Sequence, residues 1–182
     1  MKRTALFIAV ALAQIAVIAG ILISHEMTVV TGTAYRFPVA PIDPVDIFQG
    51  RYLALSFRGM RIDVGHSNFA RHQSVHAMLA VDTNGYAVIT NISASVPSVP
   101  YMTMKISSAY NGHVWVVPPF SRYYLPEDAA LPAERAYWNA ARRRNIEAHA
   151  LVVVGRNGTT VLRDVIVEGM PILAYVRKHG SN

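Results

Sequence analysis

The sequence predicts a mainly β fold with one inserted α-helix: an antiparallel rolled sheet or partly open barrel, preceded by a single N-terminal transmembrane helix. Three observations predict it. Residues 5–23, "ALFIAVALAQIAVIAGILI", contain no charge and one polar amide, Gln14. Beyond them, short alternating apolar runs are punctuated by Asn-Gly at Asn84-Gly85 and Asn157-Gly158, the strongest local signal for a tight hairpin. A single later segment, residues 127–150, is rich in helix formers.

The apolar run comes first. At ~1.5 Å per residue it reaches ~28 Å, close to the thickness of a bilayer's hydrocarbon core. Lys2 and Arg3 precede it, so the positive-inside rule places the N-terminus in the cytoplasm. A cleaved signal peptide needs a shorter apolar core and a small-x-small site at its end. Here the small triplet, Ala11 to Ala13, falls mid-run, and "ILISHEM" at the far end has none. An uncleaved anchor is therefore favoured over a signal peptide or a buried core helix. Gln14 suits a hydrogen bond to a neighbouring transmembrane helix, or is a single tolerated polar residue. Ala9, Ala13, Ala16 and Gly20 recur at helical spacing, a stripe that allows close helix approach, although an Ala-rich anchor without a partner gives the same pattern.

The division that follows is a cytoplasmic tip and anchor over 1–26, a spacer with a first strand over 27–42, an exported β-rich domain over 43–176 and a flexible tail over 177–182. In the spacer, "TVVTGTAYRFPV" alternates loosely, and Pro38, Pro41 and Pro44 keep the chain extended. Asp43-Pro44 and Asp46 form a turn signal. "RYLALSF" then places Tyr52, Ala54 and Ser56 on one face and Leu53, Leu55 and Phe57 on the other, a strand with one apolar side. Residues 58–73 read as a loop. "VHAMLAV" and "YAVITNI" flank Asp82-Thr83-Asn84-Gly85 as a hairpin. "YMTMKISSAYNGHVWVV" holds another strand pair, and "PPFSRYYLPED" is an aromatic stretch bracketed by prolines. In the helix, Pro132 suits a first turn and Arg142, Arg143 and Arg144 lie toward the end. "ALVVVGRNGTTVLRDVIV" is a second clean hairpin, and "VEGMPI" adds a turn and a short terminal strand. In all, seven to nine short strands are expected.

Composition narrows the chemistry. There is no cysteine, which removes disulfides, thiolate metal sites and cysteine nucleophiles together. The net charge is +6, with 17 Lys and Arg against 11 Asp and Glu, and two of the positive charges are Lys2 and Arg3. A mildly basic exterior suits anionic lipid headgroups. No basic-aromatic stripe points to nucleic acid, and no cofactor is indicated. His66, His72 and His76 fall within eleven residues, enough in number for a zinc or copper site, but their spacing matches no regular element, and exposed loop histidines explain them as well. The three arginines span ~200° of a helix and cannot share one face. They complement the helix dipole or meet anionic lipid or an acidic partner. Phe120, Tyr123, Tyr124, Tyr137 and Trp138 form either a ligand platform or a helix-on-sheet core. Arg122, set among them, is expected to pair with Asp43, Asp46 or Glu127 and staple the entry turn.

The segments "GRYLALSF", "DPVDIFQ", "FSRYYLPED" and the closing hairpin, in this order over residues 43–172, resemble the GDYXXLXY family of membrane-anchored bacterial proteins. Gly50, Tyr52 and Leu55 match the naming motif, while Arg51 replaces its Asp and Phe57 its last Tyr. Arg122, Tyr123, Pro126 and Glu127 match an Arg-aromatic-aromatic-x-Pro-Glu element. The resemblance implies an N-terminal anchor in a bacterial inner membrane, a periplasmic β-rich domain, no assigned catalytic residues and association with multi-pass membrane proteins. The expectation is thus a non-enzymatic accessory or interaction subunit of an envelope membrane complex, whose partner is a multi-pass membrane protein or a second copy. A structural subunit that adds strands at open sheet edges and a degenerate signal-peptidase-like β domain are the alternatives. The last requires a serine beside a desolvated lysine, and Lys105 is the only lysine in the folded body.

Overall fold

An all-apolar segment with no core to enter keeps its backbone satisfied by folding as one helix. In the computed structural model, which describes residues 2–40, 52–57, 60–65, 69–142 and 147–179, helix α1 spans Lys2–Thr31. Leu6 to Thr31 is long and apolar enough to cross a membrane, and none of its most apolar stretch is buried by protein. Helix α1 runs through the expected spacer as far as Thr31. It ends where Gly32 N–H donates to Thr28 O at 2.9 Å. Strand β1 (Thr33–Ala40) begins immediately after. A Cβ at Gly32 would lie 2.5 Å from Thr28 O and 2.8 Å from Val154 O, so only glycine lets helix and strand turn this closely against the neighbouring chain.

The fold is mainly antiparallel β, as the hairpin signals predict. One sheet has the order β12-β11-β10-β1-β3, with β3 at Ser56–Phe57, β10 at Ala148–Val154, β11 at Thr160–Val167 and β12 at Met170–Pro171. A second has the order β4-β8-β7-β5-β6, formed by Arg61–Asp63, His113–Val117, Tyr101–Tyr110, Ser74–Val81 and Ala87–Ser93 respectively. Strands β2 (Tyr52–Ala54) and β9 (Arg122–Tyr124) make a separate two-stranded ribbon. Register shifts at Met78/Leu79 and Ile106/Ser108 mark irregularities in the second sheet. Such bulges raise local twist, and the sheet curls until its edge strands β4 and β6 touch, while β6 also meets β1. This is the rolled shape expected.

The interior is made by the alternating faces. Val75, Ala77, Met102, Met104, Ile106 and Val114 are buried from the second sheet, and Phe37, Val152, Val165 and Val167 from the first. Phe120, shortly after β8, packs on the first sheet, its ring 5.3 Å from Phe37 and 5.2 Å from Phe57. In "RYLALSF", Leu53, Leu55 and Phe57 are buried as the alternation requires. The run does not form one strand, however. It crosses from the ribbon to the first sheet at Leu55, whose N–H donates to Ser121 O at 2.8 Å.

Three sequence expectations are corrected. The segment expected as loop contains β4, whose Ile62 is buried against β8; a three-residue strand is too short to show a period. Helix α2 spans Glu127–Arg142, so Pro132 lies inside it rather than in its first turn. The helix accepts it at the cost of one backbone bond, and Glu127 and Asp128 supply first-turn acids that suit the dipole. The C-terminus is not strand then tail: after β12, helix α3 (Ile172–His179) packs on α2 and β11 with Ile172 fully buried. Among the described residues the folded body thus carries a C-terminal helix, α3, besides the inserted helix α2.

Gly158 is held at φ +75°, and a Cβ there would strike the Tyr101 ring. Its carbonyl accepts Thr103 N–H at 3.0 Å, tying the β10–β11 turn to the second sheet. Gly158→Ala is expected to destabilise the domain by more than ~1 kcal/mol through a strained backbone and this clash, measured as a lowered denaturant midpoint at unchanged slope.

Candidate functional site

The two segments most distinctive in the sequence lie about seventy residues apart, and the ribbon brings them together. Its register is Tyr52↔Tyr124, Leu53↔Tyr123 and Ala54↔Arg122. Side chains alternate across a strand, so the ribbon has two chemically different faces. On the inner face Leu53 is buried, and the half-buried Tyr123 donates its hydroxyl to Asp164 Oδ1 at 3.0 Å. The same oxygen accepts Val165 N–H at 2.7 Å. Burial and the Asp164 carboxylate push the Tyr123 phenol up to about 12. On the outer face Tyr124 is 70% exposed. The Arg122 guanidinium sits 5.0 Å from the Tyr52 ring centre, and that ring meets Tyr124 edge-on at 5.9 Å.

Helix α2 backs the ribbon. Leu125 is buried and Pro126 O accepts Ala129 N–H at 3.0 Å, so Pro126 and Glu127 start the helix. Tyr137 is fully buried, with its hydroxyl 3.3 Å from Ser56 N–H, which donates to it, and 3.4 Å from Ser56 O, which accepts from it. Burial pushes this phenol up to about 12, with the Ser56 bond opposing. Both buried phenols therefore stay protonated near neutrality. They act as hydrogen-bond donors that position β2, β3 and β11, not as acids or bases.

Other expected residues scatter. Arg122 is exposed and stacked on Tyr52 rather than buried among the aromatics, and the pairing expected with Asp43 or Asp46 lies outside the described residues. Asp43, Pro44, Asp46, Gly50 and Arg51 lie outside the described residues, as do Arg143, Arg144 and the Arg142 side chain. Gln14 is exposed on α1, along with Ala13, Ala16 and Gly20. Of the five aromatics, Phe120 and Tyr137 are buried, Tyr123 and Trp138 half-buried, and Tyr124 alone is exposed. They are chiefly core. His66 is outside the described residues, His72 is exposed in a turn and His76 is half-buried on β5. Among the described residues no three His, Asp or Glu side chains gather to hold a metal ion.

Ser74 and Lys105 are direct cross-strand partners and line a cavity of about 630 Å³ with Thr103, Pro118 and Thr159. Both are exposed, and among the described hydrogen bonds none joins them. A serine–lysine nucleophile needs an amine desolvated against the hydroxyl, and this pair lacks that arrangement. A further polar group was not anticipated from sequence. His149, on β10, is buried with Nδ1 unpaired by hydrogen bonds among the described residues and 3.7 Å from Glu147. Glu147 accepts the Tyr86 hydroxyl at 3.0 Å. Burial lowers the His149 pKa, opposed by Glu147 and assisted by Arg36. Glu147 and His149 are neighbours in sequence, and only the tertiary fold brings Tyr86, 61 residues before Glu147, to them.

The sequence model of the GDYXXLXY protein family matches residues 14–165. The chain belongs to this family. Comparison with curated proteins gives no match, and comparison with solved structures gives none either. Within the GDYXXLXY motif as this chain carries it, Tyr52 faces outward beside Arg122 while Leu55 and Phe57 face the core. Phe57, standing where the motif has its last Tyr, packs edge-on against Phe37 at 6.2 Å, an environment an unsubstituted ring fills without a polar partner.

Tyr123→Phe, which deletes the bond to Asp164, is expected to cost ~1 kcal/mol in chemical unfolding. The depressed pKa of His149 has a definite sign. Its neutral form is favoured in the fold, so its contribution is complete above the ordinary histidine value of ~6.5 and is lost as pH falls from there toward the lowered folded value. The melting temperature of the wild type should therefore drop between pH 7.5 and 5.5 by more than that of His149→Gln, followed by circular dichroism.

Proposed function

We propose that this GDYXXLXY protein is a non-enzymatic, membrane-anchored accessory subunit. Its β-rich domain lies in the bacterial periplasm and binds another component of an envelope membrane complex, with a multi-pass membrane protein as partner. The observation that supports it is the outer face of the β2–β9 ribbon. Two family segments converge there, with exposed Arg122 and Tyr124 flanking the half-buried Tyr52. Arginine and tyrosine are the residue types enriched at protein interfaces, where a planar cation and amphipathic rings give contact area at low entropic cost. The anchor supplies the location: α1 passes into β1 through Gly32 alone, and Lys2 and Arg3 favour a cytoplasmic N-terminus.

Strand addition at an open edge has less support. The outer strands β12 and β3 are two residues long and β4 three, while β6 packs against β1 and β4. Short, covered edges are poor templates for another strand. The apolar run "LVVVG" lies mostly on β10, in the middle of the first sheet, not at an edge.

Affinity capture of the full-length tagged protein in mild detergent, followed by mass spectrometry, tests the proposal. One stoichiometric multi-pass protein is expected, and it should be lost from Arg122→Ala/Tyr124→Ala. Recovery of a defined oligomer of this chain alone would favour self-assembly, and a lone monomer would count against both. Arg122 is exposed and stacked on Tyr52, a contact whose loss is worth less than ~1 kcal/mol; circular dichroism of the variant confirms that loss of capture reports the surface and not unfolding.

A further inference from the structure

We infer that the β6–β7 loop, residues 94–100, is a second membrane contact of this protein, laying Val96 and Val99 into the lipid headgroup layer while Arg156 on the adjoining turn meets lipid phosphate. The inference rests on the anchor reading above and adds a named contact to it. Depth comes from α1. Leu6 to Thr31 is 26 residues, ~39 Å of helix, whereas the hydrocarbon layer is ~30 Å thick. The last turns, from about Ser24, therefore lie in the interfacial layer. The domain cannot stand off from that layer, because there is no linker. Thr28 is buried, with Oγ1 3.1 Å from Thr159 Oγ1, and Gly32 joins helix to strand. The β10–β11 turn is thus held at the depth of the last helical turns.

The β6–β7 loop lies at the same level. Thr31 and Thr33 share a cavity of about 350 Å³ with Pro97, Val99, Pro100 and Arg156. Val96 is 64% exposed and Val99 47%. In a loop touching only water, two exposed valines have no apolar cover. Beside an emerging transmembrane helix, lipid provides it. The loop chemistry suits that solvent. Pro97 and Pro100 carry no N–H, and Pro100 O accepts Leu79 N–H at 2.9 Å, which reduces the unsatisfied polar groups that make backbone costly in lipid. Arg156 is exposed, and a guanidinium binds phosphate oxygens in a bidentate manner, adding attraction toward anionic lipid. The opposite end of the β5–β6 hairpin, at Asn84, is the built-in control.

The absence of cysteine allows a single label at each position. Val99→Cys, Val96→Cys, Asn84→Cys and Leu12→Cys would each carry an environment-sensitive fluorophore. Each full-length protein is reconstituted in phosphatidylcholine vesicles with or without an anionic phospholipid. Shallow and deep spin-labelled lipids and aqueous iodide serve as quenchers. The expected result is that labels at 96 and 99 are blue-shifted, quenched by shallow spin label and several-fold less accessible to iodide than the label at 84. Arg156→Glu should reverse part of this in anionic vesicles. If labels at 96 and 99 match 84 while the label at 12 is quenched by deep lipid, the loop contact is overturned and the anchor stands. Shielding seen in native membranes but not in pure lipid would overturn it in favour of a protein contact. A label at 12 untouched by lipid would overturn the anchor reading and the inference together.

Discussion

One residue, Gly32, separates a helix long and apolar enough to cross a membrane from a strand whose alternate side chains enter the protein core. The junction is tight because Thr28 O, Val153 and Val154 O all crowd the space where a side chain would begin. A flexible linker would have let the domain drift from the bilayer. Here the last helical turns pack on β10 and β11, so the orientation of the whole β body follows that of the helix. Much else depends on this constraint, since it fixes which loops of the body lie beside the end of the helix.

The body achieves rigidity with modest means. It has no disulfide; Phe120 packs on Phe37 and Phe57 of the first sheet, Tyr137 reaches from α2 to Ser56, and the Gly158 carbonyl ties the β10–β11 turn to Thr103 of the second sheet. The buried tyrosines, Tyr123 and Tyr137, spend their hydroxyls on a carboxylate and on backbone. A satisfied buried hydroxyl adds specificity, whereas an unsatisfied one would cost several times its net worth. This arrangement fixes the inner face of the β2–β9 ribbon, while Arg122 and Tyr124 stand exposed on its outer face. The family-matched residues are therefore split by side-chain alternation into scaffold (Leu53, Leu55, Phe57, Tyr123) and surface (Tyr52, Arg122).

The anchor, the hairpins at Asn84-Gly85 and Asn157-Gly158 and the apolar side of "RYLALSF" were legible directly, because each is a local pattern. The Asp82 carboxylate, accepting Asn84 N–H at 2.9 Å and Tyr86 N–H at 2.8 Å, makes its turn from adjacent residues alone. Strand β4 and helix α3 were not legible. β4 is too short to display a period, and α3 follows a two-residue strand whose apolar residues read equally well as more strand. Arg122 was read as a buried staple because aromatics surround it in sequence; alternation places it on the opposite face from Tyr123.

By itself, then, the sequence determined that this chain carries a membrane-length apolar helix, that its body is antiparallel β, and that it has no cysteine chemistry. Those are consequences of hydropathy, period and composition, which are written residue by residue. Only the tertiary structure decided that Tyr52 and Arg122 meet, that Asp164 receives Tyr123, and that residues 94–100 lie beside the emerging helix. These are contacts between segments tens of residues apart. They exist because register and sheet curvature bring the segments together, and neither quantity is encoded at any single position.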